Sequence, residues 1–469
     1  MALIRHYIGL NEYQFRQKNS KFPVYYEPAS LINAHMLLCG MSGTGKSYQT
    51  KRFLDTAARA GVQVDIFDVH EELDDIYGAV AAKYSQATGY GYNPLVLDAD
   101  PHSGGVVNQV NLLVGLVRDA TPQFGAKQEA VFRYLLTDVY AASGIFQSTP
   151  RTWLRREMTE QQREDLIAAK NWQGLREFYP TLEDLKSYAK RKLVSLTTGG
   201  DNKSITAFEH LRRVKSKLYQ MQSRFAKSVD QSEIDRLGAQ VEEQKAKCIE
   251  AYTNFVNEMK TGREIDDVMK YDSVDVLTSV LQRLDILMSA GGLFRSNPPP
   301  FGDSHVRCHQ IKSISTPQQV LFVKLRLRDI FERCKKMGAT SSGTEVRHIV
   351  FLDEAHKYFT EDSDDIINVI AKEGRKFGLG LWCASQEPTA FPVSFLTNVG
   401  ATVLLGIHSS FWKGMGVKMR ITEDQLKYIK AKEVIATKLM KDGASDPPFS
   451  NIIVPNPASD AGRIAGEFS

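Results

Sequence analysis

The chain has 469 residues, 42% of them hydrophobic and 24% charged, which is the makeup of an ordinary globular protein with room for one elaborated domain or two to three smaller ones. A formal net charge of +4 excludes a chain that is cationic throughout, so any nucleic-acid surface must be local. Five cysteines without a C-x-x-C pair point to free thiols in a reducing cytoplasm, and the absence of a signal-like core or of an apolar run near the roughly 18 residues of a membrane span argues for a cytosolic protein.

Residues 1–34 are short and mixed, with a strand-like stretch at 22–26. A short buried strand is expected over 35–39 and a helix over 48–60, ended by Gly61. Between them stands Gly40-Met41-Ser42-Gly43-Thr44-Gly45-Lys46-Ser47, which fits the G-x-x-x-x-G-K-[ST] phosphate loop. A second strand over 62–67 runs into Asp68-Val69-His70-Glu71-Glu72, and strand, loop, helix, strand is the pattern of a parallel sheet.

A looser stretch with Gly and Pro lies between Gly89 and Gly105, followed by a helix over 127–142 with the stripe Val131, Leu135, Val139 and Tyr140. Residues 150–172 read as charged and helical. No proline occurs between Pro180 and Pro298, which suits a long helical region. Within it Leu211, Val214, Leu218, Met221 and Phe225 recur at helical steps, and Ile234, Leu237, Val241, Cys248, Tyr252, Phe255 and Met259 do so again. This predicts an antiparallel helical hairpin over about 201–265, turning near 228–232. Its first arm carries Arg212, Arg213, Lys215, Lys217, Arg224 and Lys227, either as a solvated face or as an arm that binds DNA or a partner.

After Pro298-Pro299-Pro300 the α/β pattern resumes. A strand near 306–314, a helix over 318–337, a strand over 348–352, a helix over 364–377 and strands over 379–385 and 401–407 are expected. The fold class is therefore α/β, a mainly parallel sheet with a large helical insertion. The expected division is a short N-terminal segment (1–34), a first part of the core (35–145), the insertion (146–300), a second part of the core (301–455) and a tail (456–469).

Glycines let backbone N–H groups turn inward around a polyphosphate, and the helix behind them points its positive end at the same anion. Gly40, Ser42, Gly43, Thr44, Gly45, Lys46, Ser47 and Tyr48 are accordingly candidates for binding ATP, with Lys46 reaching the β- and γ-phosphates and Ser47 holding Mg²⁺. An apolar strand ending in Asp-Glu supplies the other half of a nucleotide hydrolase: Asp353 for Mg²⁺ and Glu354 to orient or deprotonate water. Gln386, ending the next strand, is a candidate γ-phosphate sensor or, alternatively, a cap for the following loop. Arg375 is either a finger acting on a neighbour's site, an effect worth about 10³ to 10⁵ in rate, or a helix-terminal arginine satisfying the dipole. Asp68, His70 and Glu72 converge at a strand end, where they position water or couple to a neighbour, are ordinary strand-end polarity, or form a metal site. The letters D-E-A-H come without companion helicase motifs, and His305, Cys308 and His309 lack the second ligand pair that zinc requires.

Taken together, His35 with residues 40–47, Asp68 to Glu72, Leu352 to His356, Gly374 to Leu381, Ala384-Ser385-Gln386 and Leu396 to Gly400 resemble the HerA/FtsK group of ring-forming DNA-pumping ATPases, most closely the HerA family. The Asn93-Pro94-Leu95 turn and the Gly125-Ala126-Lys127-Gln128 helix start fit the same group. The resemblance implies a RecA-like P-loop core, a homohexameric ring around duplex DNA, sites completed by a neighbour's arginine, and a partner nuclease or NAD-consuming effector in antiphage defence or DNA end processing. Two features depart from the group: only about 34 residues precede the first expected strand, where a β-barrel is usual, and the hairpin is long. The same motifs also resemble conjugation and type IV secretion ATPases, and a ring that acts as a nucleotide-gated scaffold is a further alternative.

Overall fold

Eleven strands form one sheet in the computed structural model, which describes residues 4–469 apart from 103, 121–123, 199–201, 227–230, 259–269, 272, 290–292, 295, 342–344 and 444–445. The strands are β1 (His6–Asn11), β2 (Pro23–Tyr26), β3 (Met36–Cys39), β4 (Gln63–Asp68), β5 (Ala79–Lys83), β6 (Val306–Gln310), β7 (His348–Leu352), β8 (Leu379–Ser385), β9 (Ala401–Leu404), β10 (Val434–Leu439) and β11 (Ser450–Ile453). The principal helices are α1 (Lys46–Arg59), α2 (Gly105–Ala120), α3 (Ala126–Ala142), α4 (Leu182–Thr198), α5 (Asn202–Phe225), α6 (Gln231–Glu258), α7 (Val274–Ser289), α8 (Thr316–Lys336), α9 (Ile366–Glu373) and α10 (Asp460–Gly466).

The sheet order is β2-β1-β11-β10-β9-β3-β8-β7-β4-β6-β5. From β9 to β5 every pairing is parallel, and from β9 through β10, β11 and β1 to β2 every pairing is antiparallel. Every residue of β3, β7 and β8 is buried, as strands covered on both faces require, and this explains their uninterrupted apolar runs.

The chain divides into two compact units, Met1–Gly91 with 290–293 and Pro298–Ser469, and Tyr92–Ser289 with Phe294–Asn297. The first holds the whole sheet. The second is helical and begins at Tyr92, so α2 and α3 belong to it and not to the first part of the core, where the expected division at 145/146 puts them. The 1–34 segment is likewise part of the sheet, through β1 and β2. The expected tail contains α10, whose Ala465 joins Leu10, Val434 and Ile453 in a small core and accepts a hydrogen bond from the Tyr7 hydroxyl at 2.8 Å. The helix expected over 364–377 ends at Glu373 and continues as the 3₁₀ turn Gly374–Phe377.

Two buried polar groupings stiffen the sheet unit. Asp65 on β4 accepts from His309 on β6 and His348 on β7, each at 2.8 Å, and the Tyr84 hydroxyl lies 2.9 Å from the other nitrogen of His309. His309 is thereby committed to a structural network, and His305 lies 3.1 Å from the Ala58 carbonyl. Lys324 of α8 pairs with Asp365, which also caps α9 through Ile367 N–H at 3.0 Å.

In the helical unit α5 and α6 run antiparallel: Phe208 meets Phe255 with ring centroids 5.5 Å apart, and Gln244 donates to the Val214 carbonyl at 3.2 Å. The expected turn near 228–232 lies largely outside the described residues. The Gln128 side chain accepts from Gly125 N–H at 3.1 Å and donates to Ser279 on α7 at 2.8 Å, so it ties two helices together. Among the described residues no helix is long and apolar enough to cross a membrane. All five cysteines are free, and four of them are buried.

Candidate functional site

The phosphate loop leaves β3 between its two parallel neighbours. Gly40 N–H donates to Ser385 O at the end of β8 (3.1 Å), and Met41 N–H to Gly406 O just past β9 (2.9 Å). A Cβ at Gly40 would lie 2.7 Å from the Thr44 hydroxyl, and Gly45 takes φ +100° at the N-cap of α1, so both positions need glycine. No side chain caps α1, which leaves its first N–H groups and positive end for an anion. Thr44 is buried with its hydroxyl on Met41 O at 2.7 Å, whereas Ser42, Gly43, Ser47 and Tyr48 are exposed. The Tyr48 ring lies 6.0 Å from the Arg52 guanidinium.

The sequence-predicted catalytic residues Lys46, Glu354 and Gln386 come together here. Lys46 Nζ lies 2.7 Å from Glu354 Oε1, and Gln386 Nε2 donates to the same oxygen at 3.2 Å. Glu354 has a left-handed backbone, φ +46°, a strained position at the start of the 3₁₀ turn that follows β7. Burial raises its pKa, but the hydrogen bond and charge of Lys46, with Gln386 and His356 behind them, outweigh burial and leave it below the ordinary carboxylate value. Beside it, burial pushes Asp353 up to about 6 against the pull of Lys46 and His70.

Asp68 is not available for this chemistry. Its two oxygens accept four backbone N–H groups, those of His70, Glu71, Glu72 and Leu73, at 2.8 to 2.9 Å. It instead shapes the loop that brings His70 and Glu72 to the site. His70 Nε2 stands 3.7 Å from Asp353 and 3.6 Å from Glu354, and Glu72 accepts from the Ser47 hydroxyl at 2.9 Å. One donor atom each from His70, Asp353 and Glu354 lies within 4.8 Å of the others. The hydroxyl and carboxylate oxygens of Ser47, Asp353 and Glu72 are hard donors of the kind that suit Mg²⁺, and a divalent cation would offset the burial penalty on Asp353.

Arg375 lies elsewhere, on the 3₁₀ turn, where it pairs with Asp442 at 2.8 Å. Sequence reasoning missed His356 as a contributor. Its Nδ1 lies 3.0 Å from the Ser385 hydroxyl and 3.5 Å from Glu354, and its signal was the last letter of the Asp-Glu-Ala-His run.

The family model for the central domain of the helicase HerA matches residues 15–330. A probable helicase of Methanocaldococcus jannaschii is 23% identical over 220 residues, covering 44% of this chain and 38% of the relative. An uncharacterized protein of Aquifex aeolicus is 37% identical over 57 residues, 12% of this chain and 21% of its own. The chain thus spans well under half the length of these relatives. Among solved structures, VirB4 of Thermoanaerobacter pseudethanolicus is similar over 97% of both chains, with a TM-score of 0.60 and 14% identity, which establishes the RecA-like P-loop fold.

Proposed function

The chain belongs to the HerA central-domain family, and from that premise we propose that it hydrolyses ATP as a hexameric ring, moves duplex DNA, and serves a partner nuclease or NAD-consuming effector in antiphage defence or DNA end processing. The observation that carries the ATP-hydrolysing part of this reading is the convergence of Lys46 and Gln386 on one oxygen of Glu354, at the end of a strand two places from the phosphate loop, while the ring, the DNA and the partner rest on the family resemblance. ATP entering the loop takes Lys46 as partner to its β- and γ-phosphates, which releases Glu354. Glu354, still hydrogen-bonded by Gln386 and facing His356, then accepts the proton of a water aimed at the γ-phosphate, and Gln386 orients that water. Ser47 and Asp353 are the residues that would hold Mg²⁺, with Glu72 behind Ser47, and the bound ion would neutralise charge on the phosphates. Arg375 would leave Asp442 to complete a neighbour's site, which assigns the ion pair a resting role.

ATPase rate with and without duplex DNA, on material sized by mass photometry, tests the proposal. Hexamers stimulated by duplex DNA are the expected result. Stimulation by single-stranded DNA alone would favour a conjugation or secretion motor, which shares this fold. Hexamers that bind ATP yet never hydrolyse it, with or without DNA, would refute the motor and leave the nucleotide-gated scaffold.

A further inference from the structure

Left-handed backbone at a residue other than glycine is strained and tends to mark working positions. Among the described residues only Asn19, Glu71, Lys170, Glu354, Arg420 and Lys432 have it. Glu354 has been placed at the phosphate loop already. Lys432, with φ +61°, is there too, delivered by the loop between the short helix Glu423–Lys427 and β10.

Both peptide groups of Lys432 are held. Its N–H donates to Thr44 O at 3.2 Å, and its carbonyl accepts from Asn456 Nδ2 at 2.8 Å. The bend presses the side chain against the mouth of α1, with Cγ 3.6 Å from where a Cβ on Gly45 would stand. The residue is exposed and forms no ion pair among the described residues, while the next residue, Glu433, lies 3.8 Å from Arg16. An ammonium on a four-carbon stem, anchored at the uncapped positive end of a helix, adds positive charge where α1 already favours an anion.

The sheet order says which end of the anion it meets. Glu354 follows β7, on one side of β3 beyond β8, and Lys432 precedes β10, on the opposite side beyond β9. A polyphosphate whose γ end lies at Lys46 and Glu354 therefore has its nucleoside end toward Lys432. We propose that Lys432 is a nucleotide-binding residue whose ammonium engages the α-phosphate end of a nucleoside di- or triphosphate. This rests on reading the loop as an ATP site.

Equilibrium titration of the full chain with mant-ADP and mant-ATP tests it. Lys432→Gly relaxes the backbone while removing the amine, and a melting temperature at or above the parent's shows that its fold is intact. Loss of one charge-assisted contact then raises Kd about tenfold, equally for both nucleotides, and Lys432→Arg restores it to near the parent value. Parent-like affinity in Lys432→Gly, a loss confined to mant-ATP, or failure of Lys432→Arg to rescue would each overturn the proposal. A parent that binds neither nucleotide would instead refute the ATP site itself, and this inference with it.

Discussion

His35 leads into β3 with no solvent exposure, and its Nδ1 accepts the Leu381 N–H at 2.9 Å. Burial lowers its pKa from 6.5 to about 4. The folded protein therefore keeps the ring neutral, while the unfolded chain takes up a proton below pH 6.5, so stability is lost as pH falls through that window. Between pH 7 and pH 5 the linkage from this one group amounts to about 2 kcal/mol. Urea unfolding followed by tryptophan fluorescence is a suitable assay, because Trp382 on β8 is buried and donates to Ala34 O at 3.0 Å next to His35. In His35→Gln the amide oxygen can take the Leu381 N–H without titrating. The parent should lose about 2 kcal/mol more than this variant between the two pH values. His6 and His309, which burial also holds below the ordinary histidine value, are common to both proteins and cancel. Equal losses in parent and variant would refute the reasoning.

The Lys324 and Asp365 side chains are 2% and 1% exposed, so Lys324→Met should cost about 3 to 5 kcal/mol by stranding a buried carboxylate, and adding Asp365→Asn should recover much of it, as read from urea midpoints. Arg375→Ala should abolish ATPase while sparing ATP binding, and mixing it with Glu354→Gln should restore part of the activity through mixed rings; additive residual rates would mean that sites are not shared. On α5, Arg212, Lys215 and Arg224 are exposed without ion pairs among the described residues, whereas Lys245 and Lys247 on α6 pair with Glu242 and Glu243. If α5 contacts DNA phosphates, reversing those three charges to Glu should weaken binding and lower the slope of log affinity against log salt by about 3. An unchanged slope would leave α5 a solvated face.

The central strands were legible because β3, β7 and β8 are buried on both faces and so read as unbroken apolar runs. The strands β1, β5, β10 and β11 were not: they are short runs of four to six residues that mix apolar with polar side chains, and only the sheet shows them to be strands, as the pairing of β1 with β11 does. The boundary of the helical unit was misplaced for a related reason, since helical periodicity marks α3 as a helix without saying what it packs against.

At the site, residue types and spacing alone specified the phosphate loop and the Asp353-Glu354 pair, because that chemistry is carried by consecutive residues on one strand-end or one turn. Which partners each of these side chains has was decided only by the tertiary structure. Asp68 is consumed by four backbone N–H groups, Glu354 is joined by Lys46 and Gln386, Arg375 is held by Asp442, and Lys432 arrives at Gly45 from nearly four hundred residues away. A side chain's role depends on its partners and its burial, and both are set by strands that meet only once the sheet has formed.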